Sequence, residues 1–189
     1  MALYAIGDLH LSLGTNKPMD VFGPKWANYV ERIQENFSKL NDDDVIVIAG
    51  DISWGMSLEQ SLPDFQFIDA LPGRKILLKG NHDYWWKSSS RLAGQYPEMA
   101  FLKNDTVPWE KSFICGTRGW LCLNERSFTP EDEKIYKREQ IRLRLSLDAA
   151  MKAGAEDIIV MMHFPPVNEK REPSAFTEIL GEYPVKRVV

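Results

Sequence analysis

"VIVIAG", Val45 to Gly50, is the stretch that most limits what this chain can become. A continuous apolar run has no polar face to give to water, so a strand made from it must be covered on both sides. Runs of the same kind recur in "KILLKG" and "DIIVMM", with "LYAI" (Leu3 to Ile6) as a shorter first member. Between them, Trp26, Val30, Ile33, Phe37 and Leu40 recur at helical spacing. Leu58, Leu62, Phe65, Ile68 and Leu71 do so again, in a helix bent or begun at Pro63 and stopped near Pro72-Gly73. "MAFLKN" and "SFICG" add strand candidates. Thr129-Pro130-Glu131-Asp132-Glu133 opens a helix with a hydroxyl cap, a first-turn proline and acids at the positive dipole end, predicted to reach Ala153 and stop at Gly154. A loop, a short helix near Glu178 and a strand from Val185 close the chain. Alternating strands and helices, without an internal repeat or low-complexity linker, predict one α/β domain over residues 1–189.

The strand exits carry the chemistry. The first run leaves into Gly7-Asp8-Leu9-His10, the second into Gly50-Asp51, the third into Gly80-Asn81-His82-Asp83, and "IIVMM" leaves into His163. In open α/β sheets, ligands collect at the carboxyl ends of the strands. Each exit alone reads as a turn or a helix cap, yet all three histidines of the chain fall at these exits. Carboxylates, an amide and imidazoles without a thiolate suit Mn, Fe, Zn or Ni better than Ca. Two such ions about 3.5–4 Å apart need a shared carboxylate. Asp51, alone on its exit, is the natural bridge.

Composition sets the frame. The formal net charge of −4 supplies no global basic field to gather nucleic acid or an anionic membrane, although a local patch for nucleic acid stays open. Cys115 and Cys122 flank "GTRGW" in neither a CxxC pair nor a disulfide framework, and the apolar runs are too short to span a bilayer. With no charged-then-apolar leader, the expectation is a cytoplasmic protein with reduced thiols and no membrane partner.

Taken together, Asp8-x-His10, Gly50-Asp51, Gly80-Asn81-His82-Asp83 and Met162-His163 resemble, in order and strand context, the motif series of calcineurin-like metallophosphoesterases. "DISWGMS" and "GTRGW" look most like the bacterial predicted phosphohydrolases of that superfamily. The resemblance implies a sandwich of two β-sheets flanked by helices in an αββα arrangement, with a dinuclear centre at the strand ends. It implies that Asp8, His10 and Asp51 hold one metal ion and that Asp51, Asn81 and His163 hold the other. His82 would face the scissile phosphate as general acid, oriented by Asp83, while metal-activated water attacks a small-molecule phosphate mono- or diester. The superfamily pattern ends in a Gly-His-x-His segment after one more strand. This chain closes at "VKRVV", which reads as that strand cut off before its exit, so one imidazole per ion is expected to be missing. The alternative is a binding module that kept the fold and lost turnover. Arg118, between glycines, could clamp a phosphate or serve as a surface arginine. Tyr84, Trp85 and Trp86 could wall a pocket or pack beneath the loop, and Trp54 and Met56 read as local packing.

Overall fold

The computed structural model describes residues 1–123, 125 and 127–189. The chain divides into two compact units, Met1–Phe101 and Leu102–Val189. Each contains one four-stranded sheet with helices packed on it, which is the two-sheet, helix-flanked α/β class that the family resemblance implies.

In the first unit the sheet order is β1 (Leu3–Ile6), β2 (Val45–Ala49), β3 (Arg74–Leu78) and β4 (Met99–Phe101), and every neighbouring pair is parallel. Helices α1 (Tyr29–Phe37), α2 (Leu58–Asp69) and α3 (Ser89–Gln95) connect them in turn. A parallel sheet built this way sends every strand out at the same edge. Hence the residues after Ile6, Ala49 and Leu78 share one edge although the chain separates them widely. Val45, Ile46, Val47 and Ile48 of β2 are all buried. Around them, Phe37, Phe65, Ile68, Leu77 and Trp85 form one apolar core.

Helix α1 is shorter than the apolar spacing predicts. Asn28 takes a left-handed conformation (φ 50°), and the preceding residues Pro24–Trp26 form a separate 3-10 turn. Helix α2 begins at Leu58, five residues before Pro63, because Ser57 caps it by accepting the Gln60 amide. Pro63 is carried inside the helix.

The second unit has the order β5 (Val107–Trp109), β6 (Ser112–Thr117), β7 (Asp157–Met162) and β8 (Val185–Val188). Strand β5 runs antiparallel to β6, and the other pairs are parallel. The long helix α4 (Pro130–Lys152) starts where the sequence places it: Asp132 accepts both the amide and the hydroxyl of Thr129. It ends at Gly154, whose φ of 86° is cheap only for glycine. With α5 (Ala175–Gly181), α4 covers a second core that includes Cys115, Leu143, Leu147, Val160 and Phe176. Cys115 and Cys122 are buried and unbridged. No helix among the described residues is long and apolar enough to cross a membrane.

Candidate metal centre

Past its last paired residue, β1 does not leave β2. The amide of Asp8 donates to the Gly50 carbonyl, that of His10 to the Asp51 carbonyl and that of Leu11 to the Ile52 carbonyl. Two polar strand exits are thereby zipped together side by side. Asp8, His10 and Asp51 have φ values of 54°, 44° and 50°. Left-handed backbone costs roughly 1–3 kcal/mol at a residue with a Cβ, so it persists only where the surroundings fix it, and such residues gather at functional sites. Here the strain falls on three residues that the sequence singled out as ligands.

The side chains converge as the backbone suggests. His10 Nε2 lies 3.4 Å from Asp8 Oδ1 and 3.7 Å from Asp51 Oδ2. Ligand atoms each about 2.1 Å from a shared cation sit about 3.0–3.4 Å apart, so the His10 nitrogen stands from each carboxylate close to the spacing that a shared divalent ion sets. Their chemistry, two carboxylate oxygens and an imidazole nitrogen, suits the same class of ion. Asp8 is exposed at 59% of its side chain and Asp51 at 4%, so the group opens to solvent on the Asp8 side and is rooted in the protein on the other.

The third exit is laid onto the second by Asp51. Its Oδ1 accepts the His82 amide at 2.9 Å, and its Oδ2 lies 4.0 Å from His82 Nε2. Glycine at position 80 makes this approach possible, since a Cβ there would lie 2.0 Å from Asp51 Oδ1. Asn81 is half-buried between these two anchored residues.

Asp83 sits where the sequence analysis did not expect it. Its carboxylate is fully buried and accepts the amides of Gly80 (2.7 Å), Ile52 (2.8 Å) and Ser53 (3.3 Å), together with the Trp85 indole N–H (3.1 Å). None of these partners is the His82 imidazole. Asp83 braces the β2 and β3 exits from beneath. Burial raises its pKa to about 6, against the lowering effect of the backbone donors, with the nearby Asp51 charge raising it further.

The His82 ring is held by aromatics instead. Trp54 lies 4.8 Å from it, and Tyr84 meets it edge-on at 6.3 Å. The same Trp54 stacks on His10 at 4.8 Å and 25°. Trp54, which reads in the sequence as local packing, thus touches two candidate site residues; its place three residues after Asp51 was the available signal. Of the following aromatics, Trp85 is core, whereas Tyr84 is half-exposed beside His82.

The second unit carries the other two candidates. His163 follows β7, half-buried, with its ring perpendicular to Phe164 at 5.1 Å. Arg118 follows β6, where its guanidinium pairs with the buried Glu139 at 3.3 Å and stacks over Trp120 at 4.3 Å. Burial lowers its pKa, opposed by the Glu139 charge.

A family model described as calcineurin-like phosphoesterase matches residues 1–189 and so runs through both units. No curated protein matches the sequence. Among solved structures, the chain is similar to an Aquifex aeolicus protein of unknown function, with 19% identity and a TM-score of 0.52 over 99% of this chain and 89% of that one. It is also similar to a second solved structure at 12% identity and a TM-score of 0.55, over 97% of this chain and 80% of the other. At these identities the likeness concerns the fold.

Proposed function

We propose that this chain, which belongs to the calcineurin-like phosphoesterase family, hydrolyses small-molecule phosphate mono- or diesters with two divalent transition-metal ions held at its strand exits. The observation that carries this reading is the left-handed trio Asp8, His10 and Asp51, whose ligand atoms face one another at 3.4 and 3.7 Å. In this reading Asp8, His10 and Asp51 hold one ion, Asp51, Asn81 and His163 hold the other, and both units act as a single domain. Bound ions of this kind supply Lewis acidity to phosphoryl oxygens and make water a competent nucleophile at neutral pH.

His82 donates the proton that an alkoxide leaving group needs. Its side chain is 37% exposed, which leaves the imidazole open to a substrate, while the bond from its amide to Asp51 fixes the root of the ring. Asp83 contributes from below by holding the Gly80, Ile52 and Ser53 amides, and so the spacing between the Asp51 and His82 exits. The two unbridged thiols suit a reducing compartment such as the cytoplasm.

The test is hydrolysis of chromogenic mono- and diester substrates by chelator-treated protein, before and after addition of Mn, Ni or Zn. Activity is expected to depend on the added metal. Asp51→Asn should lose both activity and bound metal, measured by emission spectrometry. Full activity in metal-free protein would end the reading.

A further inference from the structure

A phosphate monoester brings two negative charges to its site at neutral pH, and a diester brings one. A further cation near the reacting phosphate, free of ion pairs, favours the first over the second. Arg118 does not meet that description, because its guanidinium is committed to Glu139. Lys17 does. It is exposed, makes no ion pair among the described residues, and places its Nζ 5.2 Å from the centre of the Trp54 ring. That ring is in contact with both imidazoles of the first unit, His10 and His82, at 4.8 Å each. One indole therefore separates the lysine from a candidate metal ligand and from the candidate acid.

The position of Lys17 is built. Its loop is fixed before the lysine and after it. On the near side the Leu13 amide donates to Asp64 Oδ1 at 2.7 Å, and Gly14 lies so close to α2 that a Cβ would meet the Gln60 carbonyl at 2.1 Å. On the far side the Trp54 indole N–H donates to Met19 Sδ at 3.1 Å. Asp64 itself is buried in the protein.

We infer that Lys17, held over the Trp54 indole, attracts the substrate phosphate by its charge and selects doubly charged monoesters over singly charged diesters. This rests on the phosphoesterase reading above. Nζ lies 5.2 Å from the indole centre and either imidazole 4.8 Å beyond it, and over a span of up to about 10 Å in water-like surroundings a unit charge is worth about twofold in binding an anion, and hence about fourfold against a dianion. The effect should fade with salt, because exposed charges are screened over about 10 Å at 0.1 M.

The experiment compares manganese-loaded wild type, Lys17→Gln and Lys17→Arg at low ionic strength. p-Nitrophenyl phosphate and bis-p-nitrophenyl phosphate are the substrates, with calorimetric titration of inorganic phosphate as a readout independent of turnover. Lys17→Gln is expected to raise KM about fourfold for the monoester and about twofold for the diester, with kcat and metal content unchanged, and to weaken phosphate binding about fourfold. Lys17→Arg should restore most of each loss. Unchanged KM values and unchanged phosphate affinity in Lys17→Gln would overturn the inference. If wild type hydrolyses neither ester, the phosphoesterase reading fails by itself, and the phosphate titration then decides the role of Lys17.

Discussion

Asp83→Asn, studied in metal-free protein, tests whether the buried brace beneath the site is charged at the expense of stability. Its folded-state pKa of about 6 lies above the ordinary value of 3.8, mainly because burial disfavours the carboxylate. The folded protein therefore keeps a proton that the unfolded chain has already released. Ionising Asp83 opposes folding: stability is greatest below the unfolded value, falls as pH rises through the window from there to about 6, and then levels off. Between roughly pH 5 and pH 7.5 this group alone should remove about 1.4 kcal/mol. The asparagine variant keeps one acceptor oxygen but turns an N–H toward another donor, a cost of about 1–3 kcal/mol that does not vary with pH. Only the difference in slope is therefore diagnostic. Urea unfolding of both proteins at the two pH values, with equal m-values, should show wild type losing about 1.4 kcal/mol more than the variant. Parallel pH profiles would refute the argument and mean that the carboxylate is not desolvated as its burial suggests.

Two further substitutions probe the exits above that brace. Gly80→Ala places a methyl group against the Asp51 carboxylate and backbone, so it should destabilise by about 1–3 kcal/mol or more and weaken metal binding; thermal unfolding and metal titration both report on it, and retained wild-type affinity would show that the exits have slack. His82→Ala should lower turnover roughly 10²–10⁴-fold, least for esters with good leaving groups, while metal content stays unchanged. Metal analysis of that variant separates a proton donor from a ligand.

Much of this was legible because a parallel sheet translates sequence directly into place: a glycine followed by Asp, Asn or His after an apolar run becomes an exit residue on one edge. The same logic located β1, β2, β3 and β7. It missed β5, whose three residues include Pro108 and whose pairing is an antiparallel turn about Glu110 (φ 50°), with no apolar run to mark it. The left-handed backbone of Asp8, His10 and Asp51 was equally hidden, since it arises from pairing between exits more than 40 residues apart in sequence, Asp8 with Gly50 and His10 with Asp51. Adjacency misled in the case of Asp83. Next to His82 in the chain, it is turned away from that ring by backbone donors from a segment 30 and 31 residues earlier. Trp54 escaped for the converse reason, because its partners His10 and His82 are brought to it only by the sheet.

Ser53 explains how so much strain is carried on so short a segment. Its amide donates to Asp83, and its hydroxyl donates to Asp64, so one residue joins both buried carboxylates. Asp83 holds the β3 exit through Gly80, and Asp64 holds the Lys17 loop through Leu13. Burial raises the pKa of each acid, which marks both as groups whose charge the fold tolerates at a cost. That cost, like the left-handed residues above it, produces no packing of its own. It fixes the relative positions of Asp51, His82 and the Lys17 loop, the rigidity that the proposed binding of metal and phosphate at set distances requires. The core of β2, Phe65 and Trp85 supplies the stability against which it is set.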